Sequence, residues 1–366
     1  MNFNSMQWFD LRSLIFVGMS LLLNVLVVYF WDKKLYQKLG LKKYQGIQRI
    51  HLNETPRLGG FIFILSMISF VIYSDPSESV LFLKLILLCL IPIMIIGLKE
   101  DLSHNVDPAV RLISLLFAGW LFRAQYTGPL PNLTDVPLIS KLLILQGGIS
   151  LFYILSLTAV ANGMNLIDGV NGLCGAVAIS ILGGLLFLSY KTNDVVILSA
   201  VFTVMLILAP FMIMNYPYGK IFLGDLGAYS LGAILSILTI IFFGRHPEIS
   251  PWGAALILIY PVTEVAFSLL RRLIKGVSIY HADIAHLHLK FFYFFSPQPA
   301  YKKIANALVT PALSGLWLFP LLAITFTYHK PLFILIAIIL FIILYCIFYA
   351  VVDHAQKNLI KNKKNK

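Results

Sequence analysis

The stretch FLGDLGAYSLGAILSILTIIFFGR, residues 222–245, decides the fold. Its apolar run over 226–243 is long enough to cross a hydrocarbon core of roughly 30 Å, which takes about 17–25 helical residues. In lipid a backbone satisfies its own N–H and C=O groups only as a helix or a closed barrel. The run therefore predicts a membrane helix, with Asp225 where it starts.

Runs of the same kind recur on both sides. They predict eleven spans, at 11–31, 59–73, 80–98, 111–126, 139–160, 172–190, 195–214, 226–243, 251–270, 306–327 and 332–352, of which 59–73 and 111–126 are short. The composition agrees, because 59% hydrophobic and 12% charged residues cannot clothe a soluble surface. The expected fold class is all-α, a polytopic integral membrane protein of about 11 transmembrane helices. The first span follows Asp10 and no basic cluster, and it lacks a small-residue cleavage site, so it reads as a retained helix.

Basic residues near helix ends stay in the cytoplasm. The alternate connections 32–58, 99–111, 161–171, 215–225, 271–305 and 353–366 hold 21 of the 28 Lys and Arg residues. The expected orientation is an external N-terminus and a cytoplasmic C-terminus in the inner (cytoplasmic) membrane. The net charge of +12 is then a membrane-surface charge concentrated in loops 32–58 and 271–305 and the tail 353–366. No segment is long enough for a soluble nucleic-acid-reading domain, so nucleic acid is excluded as a partner. Cys89, Cys174 and Cys346 lie in or beside apolar runs and read as packing residues, with no disulfide framework. A single membrane domain over 1–366 is the expected organisation.

Four polar segments interrupt the apolar chain, and all fall on the cytoplasmic side of this topology. Ionisable residues beside membrane spans are costly unless they pair, bind an ion or meet a substrate. In GLKEDL (97–102), Glu100 and Asp101 form a pair able to hold a hard cation or accept a proton, or simply to be solvated at the interface. NGMNLIDGVNGL (162–173) repeats polar groups every three residues at Asn162, Asn165 and Asp168, which puts them on one face, with Asn171 beyond; ordinary capping of a turn is the plainer alternative. Asp225 reads either as an N-cap or as a cation ligand beside an anion at a helix N-terminus, with Lys220 suited to phosphate and Phe222 or Tyr216 to a base. HADIAHLH (281–288) brings His281, Asp283, His286 and His288 near Arg271, Arg272 and Lys275. Zinc would want three or four closed ligands, and no Cys is close, so contacts to phosphate explain these residues better than zinc does; an incidental surface loop is the alternative.

Together with TPRLGG at 55–60, these segments occur in the order seen in the polyprenyl-phosphate N-acetylhexosamine-1-phosphate transferases, which the chain resembles from about residue 50 to 295. The resemblance implies attack by undecaprenyl phosphate on the β-phosphorus of a UDP-N-acetyl sugar, with Mg²⁺ (Mn²⁺ as an alternative), in catalytic loops 32–58, 97–111, 161–173, 215–227 and 271–305. It implies Asp225 and Asp168 as metal ligands, Asp101 and Glu100 as catalytic carboxylates, and His286 and His288 at the phosphates. Asn162, Asn165, Asn171, Phe222, Lys220, Arg57, His281 and Asp283 would contact substrate. A homodimer is suggested by the resemblance alone.

Two departures are visible. Glu100 stands where the family has the first of two aspartates, and the histidine loop reads HLHL, without three consecutive histidines. The second departure points away from UDP-MurNAc-pentapeptide as donor. A transporter or flippase would also be polytopic and basic, but its sites sit near the bilayer midplane, often between internal repeats, and no repeat relates the two halves here. An inactive scaffold would be expected to lose Asp168 or Asp225, and both are present. Glu264, inside the ninth span, reads as a support for the site or as a structural pair. Arg57 either reaches phosphate or anchors the interface, and Gly59 and Gly60 suit close helix packing.

Overall fold

The computed structural model describes residues 12–30, 55–133, 147–277, 285–298, 300–302 and 304–364, and every regular element among them is a helix. In chain order these are α1 (Arg12–Phe30), α2 (Gly59–Tyr73), α3 (Glu78–Cys89), α4 (Ile91–Ser103), α5 (Pro108–Gln125), α6 (Gly148–Ile167), α7 (Leu173–Lys191) and α8 (Val195–Asn215). They continue as α9 (Gly224–Arg245), α10 (Trp252–Ile257), α11 (Ile259–Lys275), α12 (Leu287–Phe295), α13 (Ala305–Ala312), α14 (Ser314–Trp317), α15 (Phe319–Thr327) and α16 (Pro331–Lys364). Six helical stretches are long and apolar enough to span a membrane, seven if α3 and α4 form one bent span, and α1 and α2 are shorter apolar helices.

Three expectations need correction. The span expected at 80–98 is broken at Leu90: α3 and α4 meet at a 55° bend, with Pro92 in the first turn of α4, where its missing N–H costs nothing. The helix then continues through Glu100 and Asp101 to Ser103, so these acids lie on a helix and not in a loop. Of the span expected at 139–160, residues 139–146 lie outside the described residues; its described part is α6, which runs on to Ile167 and carries Asn162 and Asn165 within the helix. Hydropathy falls at those two residues, but the helix does not stop, because protein and not lipid surrounds this end.

Helix α9 is the axis of the molecule, with its membrane-crossing window buried throughout, and it packs against α2, α4, α6 and α7. Its partners come very close. A Cβ on Gly60 would stand 2.2 Å from the Gly227 Cα, so α2 and α9 touch backbone to backbone. At its far end, about 30 Å from Asp225 at 1.5 Å per residue, Arg245 bonds Asp194 through Nε at 2.8 Å and Glu78 through Nη1 at 2.8 Å. Asp194 also caps α8 by accepting from the Ile197 N–H at 3.1 Å, and His246 Nε2 lies 3.0 Å from its other oxygen. This cluster locks the starts of α3 and α8 to the end of α9.

Candidate active site

The other end of α9 is where the polar segments meet. The 55–60 segment lies along residues 222–223: Phe222 N–H donates to Pro56 O at 2.9 Å, Gly59 N–H to Phe222 O at 2.9 Å, and Gly60 N–H to Leu223 O at 3.0 Å. This pairing satisfies donors at the start of α2 that its own helix leaves free. It also brings Arg57 over the start of α9.

There, five chain segments supply charged groups to one point. Asp101 accepts the Asp225 N–H on Oδ1 at 2.8 Å and the Leu226 N–H on Oδ2 at 2.9 Å, so a carboxylate from α4 caps α9 from outside. Asp168, at the end of α6, accepts the Gly224 N–H at 3.1 Å. Gly224 has φ of +73°, and a Cβ there would lie 2.5 Å from the Asp101 carboxylate, so only glycine lets the two meet. Arg57 donates through Nη2 to Asp225 Oδ1 at 2.7 Å and sits 3.3 Å from Asp101, while Arg111 donates through Nη1 to Asp225 Oδ2 at 2.8 Å. Glu100 is 3.9 Å from Arg111, and its other oxygen accepts the Val106 N–H at 2.8 Å, closing the turn after α4.

Burial pushes the Asp168 carboxyl well above the usual range; Arg57 and the Gly224 N–H pull against that, and Asp101 and Asp225 add to it. Four carboxylates face two guanidinium groups here; both guanidinium groups bond Asp225, while Asp168 accepts the Gly224 N–H and feels Arg57 through space. That excess negative charge suits a hard divalent cation, which in phosphate sites takes one or two carboxylates and completes its shell with water and substrate oxygens. Among the described residues no three His, Cys, Asp or Glu side chains form a ready metal cage. What the residues do offer is hard carboxylate oxygen, the donor type Mg²⁺ takes. Asp168 has the freer carboxylate, and Asp225, expected from the sequence as the leading ligand, has a guanidinium on each oxygen.

The other expected residues fall into three groups. Asn165, on the same face of α6, lies close enough to Tyr229 of α9 to act on its hydroxyl, and Asn162 is partly exposed one turn earlier. Asn171 is braced: its N–H donates to Asn306 at 2.6 Å, its Nδ2 to Pro217 O at 2.7 Å, and its carbonyl accepts Thr310 at 2.6 Å. Phe222 is only 6% exposed, with its backbone fixed by the 55–60 segment; the open rings nearby are Tyr216 and Tyr218, and Lys220 lies over the latter. His286 and His288 are buried behind Gly169 rather than open at the surface, and burial holds the His288 imidazole down at about 4, hence neutral. His281 and Asp283 lie outside the described residues.

Three participants escaped the sequence reading. Arg111 is a lone arginine at the start of an apolar helix, a pattern that normally means an interface anchor. His104 caps α4 in a left-handed conformation and senses Arg57 and Asp225; burial, then Arg57, lowers its pKa. Asn215 joins two motifs, accepting the Gly172 N–H at 2.6 Å and donating to Ile221 O at 2.7 Å. The signal for Asn215 was its place in NYPYGK, just ahead of FLGD.

Fold and site thus define a multi-pass all-α membrane protein with a buried acid–guanidinium centre suited to phosphate chemistry. Residues 83–243 match the family model described as glycosyl transferase family 4. A probable undecaprenyl-phosphate N-acetylglucosaminyl 1-phosphate transferase of Bacillus subtilis (strain 168) is 24% identical over 270 residues, 73% of this chain and 74% of that relative. Phospho-N-acetylmuramoyl-pentapeptide-transferases are similar too: that of Streptococcus thermophilus (strain CNRZ 1066) is 25% identical over 58% of this chain and 66% of its own. That of Streptococcus gordonii is 26% identical over 70% and 82%. The chain is thus similar over much of its length to polyprenyl-phosphate sugar-1-phosphate transferases, and over residues 83–243 to glycosyl transferase family 4.

Proposed function

We propose that this protein transfers an N-acetylhexosamine-1-phosphate from a UDP-sugar to undecaprenyl phosphate, releasing UMP and forming the undecaprenyl-diphosphate sugar that initiates a cell-envelope polysaccharide such as O-antigen or capsule. The observation that carries the reading is the convergence of Asp101, Asp168, Asp225, Arg57 and Arg111 from five chain segments on the N-terminus of α9. A helix N-terminus with two guanidinium groups attracts a diphosphate. Asp168 and Asp225 would hold Mg²⁺, or Mn²⁺ in its place, and the cation would supply charge stabilisation for the transferring phosphorus.

The protein's part in this reading is placement and electrostatics, as in phosphoryl transfer generally. Arg57 and Arg111 neutralise the diphosphate while holding the Asp225 carboxylate. Asp101, with both oxygens accepting backbone N–H groups, keeps the α9 terminus aimed at the reacting phosphates; it is a positioning group more than a free base. A phosphate monoester has a second pKa of about 6, so the acceptor arrives largely ionised and needs little help from a base. The lipid tail stays in the bilayer while its phosphate meets the nucleotide sugar at the cytoplasmic face. A N-acetylhexosamine donor is favoured over UDP-MurNAc-pentapeptide because His286-Leu-His288-Leu replaces a run of three histidines.

The test is UMP release by purified protein with undecaprenyl phosphate, Mg²⁺ and a panel of UDP-N-acetyl sugars. Release with one sugar, lost in Asp168→Asn, is the expected result. No release from any donor by folded protein would refute the reading.

A further inference from the structure

Behind the acid–guanidinium centre lies a second set of buried ionisable groups with no role in the chemistry above. Glu264 on α11 is 1% exposed, and His286 and His288, flanking the start of α12, are 3% and 1% exposed. His286 Nδ1 lies 3.8 Å from Glu264 Oε2. Among the described residues, neither carboxylate oxygen, neither nitrogen of His286, nor Nδ1 of His288 has a hydrogen bond of good geometry, and the Tyr260 hydroxyl beside them lacks one as well. Tyr345 of α16 leans on the same carboxylate.

Buried polar groups that go unmatched cost stability, and a packing role alone would be better filled by apolar side chains. His286 also occupies the N-cap of α12 without capping it, although its carbonyl accepts the Lys290 N–H at 3.0 Å. Its ring is turned inward instead. Ala285, the residue before it, is held in place, because its carbonyl accepts from both Arg271 and Tyr349. The two imidazoles stack, with centroids 5.7 Å apart and planes 9° from parallel. Parallel rings aim their in-plane lone pairs side by side and not at one point, so the pair does not make a metal site. What the stack does reach is Gly169: His288 Nε2 is the atom nearest the space over that residue, 3.4 Å from where a Cβ would be. Gly169 adjoins Asp168.

We propose that Glu264 is a positioning residue for the transfer reaction: its buried carboxylate orients His286, and the stacked ring sets His288 with one nitrogen toward Gly169 and the phosphates beside Asp168. The proposal rests on the transferase reading above. The long Glu264–His286 contact is of the kind that tightens when substrate binds. Glu264 itself touches no substrate; it acts through two rings, from the far side of the loop that ends α6.

Two measurements on full-length protein test it. In spectra of the ¹⁵N-histidine-labelled protein, Glu264→Gln should shift the ring signals of both His286 and His288, assigned with His286→Gln and His288→Gln. An unmoved His288 signal would overturn the proposal whatever the activity. In UMP release with undecaprenyl phosphate and UDP-GlcNAc, or the panel donor the wild type uses, Glu264→Gln should lower kcat about ten- to a hundredfold, the scale of a misplaced group. KM should stay within about twofold, Glu264→Asp should recover part of the rate, and adding Glu264→Gln to His286→Gln should cost nothing further. A kcat within about twofold of wild type, or effects that multiply in the double variant, would overturn the proposal. Wild-type protein inactive with every donor would refute the transferase reading and the proposal with it, and that failure is visible without any variant.

Discussion

Replacing Arg111 with methionine removes one of the two guanidinium groups on Asp225. Its Nη1 lies 2.8 Å from Asp225 Oδ2, with the acid side chain 4% and the arginine side chain 23% exposed, so solvent screens the pair only weakly. Breaking a buried pair from one side costs about 3–5 kcal/mol, because the remaining charge is stranded. Here Arg57 stays on the other oxygen at 2.7 Å. Half of the clamp survives, and about 2–3 kcal/mol is a fair expectation for the loss. If that energy serves the reacting phosphates, UMP release falls about 30- to 150-fold. Methionine keeps the length and apolar stem, so packing along α5 is preserved. Arg111→Lys should fall between the two, since lysine restores the charge but not the planar fork. Initial rates of UMP release and thermal unfolding in the same detergent give both readouts. Arg111→Met within about threefold of wild type, unfolding at the wild-type temperature, would refute the reasoning.

Other expectations follow from the same geometry. Gly224→Ala should abolish UMP release, because the new Cβ would meet the Asp101 carboxylate at 2.5 Å in a left-handed backbone; Gly147→Ala, also at positive φ but with open space around it, should keep its activity. EDTA should stop turnover and Mg²⁺ restore it in wild type, whereas Asp168→Asn should stay inactive at any Mg²⁺ concentration. At the far face, burial raises the pKa of Asp194, but hydrogen bonds from Arg245, His246 and Ile197 outweigh it and leave the folded value below the ordinary 3.8. A lowered carboxyl contributes stability above its unfolded pKa and loses it as pH falls through the folded value. Thermal unfolding of wild type should therefore weaken below about pH 4. Asp194→Asn should be less stable at neutral pH and lack that acid-side drop.

The membrane helices were legible because period and length alone set them. α2 and α8 fall almost residue for residue where the apolar runs at 59–73 and 195–214 end. The bend between α3 and α4 was not legible from hydropathy, which is continuous across it; Pro92 was the one local sign. Asn165 and Asp168 could be read as a face because a three-residue spacing is a local property. Arg111 could not, since its partner Asp225 is 114 residues away and a basic residue at a helix start has an ordinary explanation. Asn171 was assigned to substrate, but its place is fixed by Asn306 and Thr310, contacts that span 135 and 139 residues of chain. The histidines were recognised as a cluster, while their burial against Glu264 depends on how α11 and α12 pack.

Sugar-1-phosphate transfer breaks the bond between the two phosphates of the donor, and not the bond between sugar and phosphate. Incubating the protein in membranes with undecaprenyl phosphate, Mg²⁺ and UDP-N-acetyl sugar labelled with ³²P at the β-phosphorus, then extracting with butanol, tests this directly. Transfer of sugar-1-phosphate carries the label into the lipid phase as a diphosphate-linked sugar, with unlabelled UMP left in water, and Asp168→Asn abolishes the partition. Label that remains aqueous as UDP while the sugar enters lipid would contradict the account.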